Sequence, residues 1–219
     1  MKKSYVYLLT TFMLWGSLYV VSQFVLGKIP TFTVAMFRYL IAFIALSLIS
    51  LKSEKEKIEK SDYKYFFIMG FIGYFISVDC QLLGTKIAGG SMASLINSLN
   101  PVIISVMAMI ILNEKLEMNK IVGIILSLAG VYMIIGTGAN IQFLGVLISF
   151  IAVIGWAFMS VISRKISNKY SALTLTKVSM LIATVCNIPV SFLEVQVTHP
   201  LIQVDLGAVL GLVYMGVVC

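Results

Sequence analysis

The sequence predicts an all-α polytopic membrane protein: an inverted repeat of five-helix units, ten helices when complete and about seven and a half present. Three observations lead there. The chain is 60% hydrophobic and 11% charged, where soluble domains carry about 25% charged residues. It nearly repeats itself, without a gap, at an offset of 141 residues: Trp15 falls on Trp156, Ser22 on Ser163, Lys28 on Lys169, Thr33 on Thr174, Leu40 on Leu181, Ala42 on Ala183 and Gly70 on Gly211. Apolar and charged segments follow the same offset, and lysine and arginine collect on alternate connections.

Each element follows from the apolar runs. A helix crosses a hydrocarbon core with about 20 apolar residues. The first run, 5–26, follows Met1-Lys2-Lys3 and imitates a signal peptide. It lacks a small-x-small cleavage site and further long apolar runs come after it, so it reads as a retained helix. Runs at 31–51, 65–85, 92–112, 121–136, 143–163 and 173–193 follow, the fifth being short, and an eighth opens near Leu206 and is cut at Cys219. The runs are continuously apolar instead of alternating every second residue, which selects helices over barrel strands. Only Lys52–Lys64 reads as a solvated charged loop.

Orientation comes from basic residues. With the N terminus in the cytoplasm, Lys2, Lys3, Lys52, Lys55, Lys57, Lys60, Lys64, Lys115, Lys120, Arg164, Lys165 and Lys169 lie inside, twelve of the 16 Lys and Arg. Lys28 and Lys86 fall at outer connections, Arg38 and Lys177 within helices, and the outer loops 137–142 and 194–205 carry no basic residue. The positive-inside rule thus predicts a multi-pass protein of the plasma membrane with a cytoplasmic N terminus. Anionic inner-leaflet lipid accounts for the net charge of +7, and no nucleic acid partner is called for.

An odd number of helices per repeat forces the second copy into the membrane in the opposite sense. Residues 1–139 form the first repeat and 140–219 an incomplete second, with helices six, seven and part of eight. Cys219 corresponds to Val78 of the first copy, so the symmetry predicts a whole protein of roughly 280 residues or more.

Polar residues inside the helices carry the chemistry. Ser94, Asn97, Ser98, Pro101 and Ser105 form one stripe of helix four, which lines a cavity or makes interhelical hydrogen bonds; Pro101 kinks the helix and frees a carbonyl. Trp15, Tyr19 and Ser22 share a face of helix one, and Trp156, Ser160 and Ser163 stand at the equivalent face of helix six. They read as two walls of a pathway suited to an amphipathic or weakly polar solute, or as interface anchors and bundle filling. Arg38 and Asp79 lie at equal depth, about 10 Å below the outer interface. They read as an ion pair, with Asp79 as a proton-coupling carboxylate or separate water-filled environments as alternatives. Lys86 and Lys177 snorkel from helix ends, and Glu114 ties its loop to Lys120 or helix five. Gly123/Ser127, Gly145/Ser149 and Gly207/Gly211 have the spacing that lets helix backbones approach.

Other chemistries are not visible. Cys80, Cys186 and Cys219 make no CxxC pair, so no disulfide framework, metal site or cofactor is implied. His199, the only histidine, precedes Pro200 in an outer loop. No phosphate loop or nucleophile–base pair is present, and a membrane-embedded enzyme would gather His, Asp or Glu near one interface.

The segments Leu14-Trp15-Gly16-Ser17, Phe37-Arg38-Tyr39-Leu40, Gly84-Thr85-Lys86, Ala93-Ser94-Leu95-Ile96, Asn100-Pro101 and Asn113-Glu114-Lys115-Leu116 occur in an order and spacing that resembles an EamA-type repeat of the drug/metabolite transporter superfamily. Trp156 to Met180 resembles the opening of its second repeat. The resemblance implies a ten-helix inverted-repeat bundle that carries a small-molecule substrate through a central cavity by alternating access. Asp79 and Gly84 depart from the family pattern, which commonly has a small or aromatic residue and an alanine there. Proton coupling, export and a homodimer stay open, as do a non-transporting scaffold or sensor and an inactive fragment.

Overall fold

The computed structural model describes residues 2–51, 56–114, 118–135, 142–200, 202 and 204–219. Lys52, Lys55, Lys115, Leu116 and most of loop 137–142 lie outside the described residues, as do the side chains of Lys2, Lys3, Lys120 and Ser127. The chain is 86% helical, with no strand among the described residues. It is an all-α polytopic membrane protein. Six helices are long and apolar enough to cross a membrane: Tyr5–Leu26, Thr31–Ser50, Lys60–Ala88, Gly90–Leu112, Phe143–Ile166 and Ala172–Thr198.

We name α1 (Lys2–Leu26) and α2 (Thr31–Ser50), then a third span made of α3 (Tyr63–Ile68), a π-helical stretch Met69–Ile76 and α4 (Ser77–Ala88). The fourth span is broken into α5 (Gly90–Asn97) and α6 (Asn100–Leu112). It ends one helix at Asn97 and starts the next with Pro101 in its first turn, where the missing proline N–H costs nothing. Gly89, at φ +85°, makes the sharp turn between α4 and α5. The rest is α7 (Met118–Ile135), α8 (Phe143–Ile166), α9 (Ala172–Thr198) and α10 (Leu206–Val217).

Small residues let these helices approach. On α8, Gly145 and Ser149 face Ala88 and Gly84 of α4, and Gly155 faces Ser77, so the two helices run antiparallel in close contact. Ser77 Oγ donates to the Ala152 carbonyl at 2.7 Å. Gly207 and Gly211 of α10 lie against Phe24 and Val25 of α1. Gly123 of α7 has open space around it.

The helices α2 and α9 also run antiparallel. Thr33 Oγ1 and Ser191 Oγ share a hydrogen bond of 2.8 Å at one end, and Lys177 Nζ donates to Ser50 Oγ at 3.0 Å at the other. Each start of this pair is met by a carboxylate from beyond the end of the other helix or from its last turns. Pro30 offers α2 no side-chain cap, and Glu194 of α9 instead accepts from the backbone N–H of Thr31, Phe32 and Thr33 at 2.8, 2.9 and 3.4 Å. Glu56, after α2, accepts from the Ser171 N–H at 3.0 Å just before α9. These bonds satisfy helix-start donors that have no partner within their own helix.

Contacts recur under a constant offset. Trp15 of α1 meets its counterpart Trp156 of α8 edge to face, with ring centroids 6.3 Å apart. Both α2 and α9 begin at equivalent positions, 31 and 172. The third span corrects the sequence alignment. Gly70 packs on Ile182 and the Ser179 carbonyl, and it is Gly216 that packs on the equivalents Ile41 and the Arg38 carbonyl. The matching glycine is therefore Gly216, not Gly211. Five extra residues in the second copy's connection shift the offset there from 141 to 146, which a gapless alignment cannot register. Under that shift Met69 matches Met215, and both are buried at 3% and 1% exposure.

Ion pairs close the ends the same way. Lys28 pairs with Asp205, the N-cap of α10, and Lys169 with Glu59, which precedes the third span, at 3.5 Å. Lys169 also reaches Asp62 at 3.1 Å. The Lys28 ammonium, with the Ala208 N–H, holds the Asp205 carboxyl below its ordinary value, and Asp62 and Glu59 push the Lys169 ammonium up. Glu114 ties its loop to Arg164 of α8, at 3.3 Å, and not to Lys120 or the fifth helix. Arg164 sits in the last turn of α8 and brings its charge to the same end of the bundle.

Candidate functional site

A cavity of about 250 Å³ lies between α1, α2, the third span, the α5–α6 break, α8 and α9. Aromatic rings make its walls. The Trp156 ring is edge-on to Trp15 and, at 5.7 Å, to Tyr74, whose ring meets Tyr39 at 5.9 Å. Tyr39 Oη donates to the Tyr74 carbonyl at 2.9 Å, inside the π-helical stretch. Such a stretch leaves backbone carbonyls with altered partners and is a frequent mark of functional positions.

Polar groups interrupt the aromatic wall. Gln81 Nε2 donates to Tyr19 Oη at 2.6 Å, and Asn100 Nδ2 to Asn97 Oδ1 at 2.5 Å across the helix break. Arg38 also lines the cavity, with its guanidinium carbon 5.8 Å from the centre of the Tyr39 ring. Its Nη1 is buried and has no hydrogen-bond partner.

The structure brings Trp15, Tyr19, Arg38, Asn97 and Trp156 to this cavity. Others of the sequence-predicted residues lie elsewhere. Ser22 is buried against α10, its Oγ donating to Met215 Sδ at 3.3 Å. Ser94, Ser98, Ser160 and Ser163 bond to carbonyls of their own helices, Ser91, Leu95, Trp156 and Ser160 in turn. Ser98 and Pro101 are exposed. The stripe on helix four splits because the helix does: the break at Ser98 and Leu99 turns Asn97 and Asn100 to the cavity and leaves Ser98 and Pro101 outside it.

Arg38 and Asp79 form no ion pair, which corrects the sequence reading. Both Asp79 oxygens are buried without a partner, and Asn187 of α9 stands beside the carboxyl. Asn187 Nδ2 donates to the Ala183 carbonyl at 3.1 Å, and its Oδ1 is unpartnered. Equal depth fixes height along the helices and not rotation about them. On α4, Val78 and Gln81 face the cavity where Arg38 lies, while Asp79 turns toward α9.

The sequence reading passed over Tyr39, Tyr74, Gln81 and Asn100. An intramembrane glutamine and an asparagine before a proline are polar signals visible in the chain. The two tyrosines carry none, because an aromatic residue in an apolar run looks the same whether it faces lipid or a cavity.

Comparisons with known proteins agree with this architecture. Residues 2–136 match the family model described as the EamA-like transporter family. An uncharacterized transporter of Bacillus subtilis, YetK, is 28% identical over 87% of this chain and 60% of its own length. An uncharacterized transporter of Clostridium kluyveri is 26% identical over 99% of this chain and 73% of its own. A solved crystal structure superposes with a TM-score of 0.65 at 18% identity, covering 94% of this chain and 74% of that one, which supports the fold. The chain thus spans between three-fifths and three-quarters of these proteins. With six apolar spans around a polar and aromatic cavity and a family match over more than half its residues, the chain belongs to the EamA-like transporter family and is a membrane transporter.

Proposed function

We propose that this protein moves small organic solutes across the plasma membrane by alternating access, binding them in the cavity between Trp15 and Trp156 and carrying them outward. The observation that carries this reading is the position of the cavity. It lies where α1 meets its counterpart α8, beside the antiparallel pair α2 and α9. Residues 1–139 and 140–219 are then oppositely oriented repeats about an axis near the two tryptophans. The recurring contacts support this: Gly70 on Ile182 and Gly216 on Ile41, Lys28 with Asp205 and Lys169 with Glu59. Sites at repeat interfaces near the membrane midplane suit rocking of one repeat against the other.

The end of the bundle holding Lys57, Lys60, Arg164, Lys165 and Lys169 is assigned to the cytoplasm, because basic residues concentrate there. The N terminus is then cytoplasmic. Asp79, buried and without a partner, is the candidate carboxylate for proton coupling. The test is flux into and out of proteoliposomes with imposed pH gradients. Solute-specific flux that responds to the gradient supports transport and coupling. Binding without flux would make the protein a sensor or scaffold, and flux blind to pH would remove Asp79 from the mechanism.

A further inference from the structure

We infer that the cavity recognises an organic anion, with Arg38 as the residue that binds its carboxylate and the aromatic wall as the seat of an apolar or aromatic body. The inference rests on reading this cavity as the substrate site.

The argument begins with the cost of Arg38. A guanidinium is never neutral in a protein, and a cation at membrane depth needs a partner or a job. Nη1 of Arg38 is buried and unpartnered. The described carboxylates are engaged elsewhere: Asp205 with Lys28, Asp62 and Glu59 with Lys169, Glu114 with Arg164, Glu56 and Glu194 with helix-start N–H groups. Asp79 is beyond ion-pair reach. The Tyr39 ring offers the guanidinium a face, which is worth less than a carboxylate and leaves the in-plane N–H donors free.

The surroundings then select the ligand. A planar fork of donors suits a carboxylate, and the groups nearest in the wall, Trp15, Trp156, Tyr74 and Tyr39, suit a ring or apolar body. Charge is also one-sided. The position equivalent to Arg38 in the second half is Ser179, so the cavity carries a single cation. An organic cation entering it would meet that charge with no carboxylate in the cavity wall to offset it.

The test uses the chain in lipid nanodiscs and its own tryptophans. Trp15 and Trp156 are the only two tryptophans, and both line the cavity, so their fluorescence reads occupancy without any transport assay. The probes are phenylacetate, 2-phenylethanol and 2-phenylethylamine, which place an anion, a neutral group and a cation on one ring. Phenylacetate is expected to bind at least about 10-fold tighter than either of the others, as a charged hydrogen bond implies. Arg38→Gln should abolish that preference, and Arg38→Lys should keep part of it. Equal binding of the three probes, tighter binding of the amine, no phenylacetate binding, or an anion preference that survives Arg38→Gln would overturn the assignment. If Arg38→Gln does not fold, the three probes on the native protein decide by themselves. Solute flux in proteoliposomes without anion preference would sink the anion site and leave transport standing; anion binding without flux would do the reverse.

Discussion

Gly70 and Ile182 leave no room for a side chain between them: a Cβ on Gly70 would stand 2.6 Å from the Ile182 Cβ. The same contact occurs once more, with a Cβ on Gly216 falling 2.9 Å from that of Ile41 and 2.9 Å from the Arg38 carbonyl. Two glycines thus set how closely the third span approaches α9 and how closely α10 approaches α2. Because Arg38 presents its backbone to Gly216, that contact also fixes the rotation of α2 that turns the guanidinium into the cavity.

Adding a methyl at either contact should therefore destabilise. Gly70→Ala and Gly216→Ala are expected to cost about 1–3 kcal/mol each by overpacking. Gly123→Ala, in open space, should be neutral or slightly stabilising through helix propensity. Thermal denaturation in detergent checks all three, and a loss at Gly123 equal to that at Gly70 would show that the close approach is not the cause.

Glu194 provides a second test. It accepts three N–H groups at the start of α2, and no side chain of α2 can replace it. Glu194→Ala should lower stability by about 1–2 kcal/mol, in the range of lost helix caps. Glu194→Gln retains an acceptor and should lose less. Hydrogen exchange at Thr31, Phe32 and Thr33 should quicken in the alanine variant while the centre of α2 stays protected.

The helices were legible because length and hydropathy decide what crosses a bilayer. Predicted spans 31–51 and 143–163 differ from Thr31–Ser50 and Phe143–Ile166 by no more than a few residues at their ends. What escaped depends on rotation and on local backbone. Asp79 and Arg38 lie at matching heights, yet nothing in an apolar run says which way α4 turns between Val78 and Gln81. The π-helical stretch Met69–Ile76 has no sequence mark, and Glu194 as the cap of α2 is set by tertiary packing. The connection before α10 hid the pairing of Gly70 with Gly216, since five inserted residues break a gapless register.

Acid should loosen the Lys28 end of the bundle. The folded Asp205 carboxyl is held below its ordinary value by Lys28 and then by the Ala208 N–H. A depressed carboxyl contributes stability above its unfolded value, about 3.9, and loses it as pH falls through the folded one. Thermal midpoints of the native protein and Asp205→Asn should thus differ at neutral pH and converge in acid. Lys169, raised by Asp62 and Glu59, has the opposite sign: its contribution is present below the ordinary lysine value and is lost as pH rises through the raised one. A gap between native and Asp205→Asn that widened in acid would contradict the linkage.

The separation of Arg38 from Asp79 makes the last prediction. Were they paired, removing one charge would strand the other and cost several kcal/mol, and removing both would cost less than the sum. As they are apart, Arg38→Gln and Asp79→Asn should add within about 0.5 kcal/mol in a double-mutant cycle. Asp79→Asn should moreover hold or raise the melting temperature by itself. It removes an unpartnered buried carboxyl and brings an N–H donor beside Asn187 Oδ1, which lacks one. The two substitutions should also part in function: Arg38→Gln should weaken anion binding, while Asp79→Asn should leave binding intact and abolish the response of flux to a pH gradient. A coupling energy of about 2 kcal/mol or more would restore the ion pair, and with it a cavity whose cation is already spoken for.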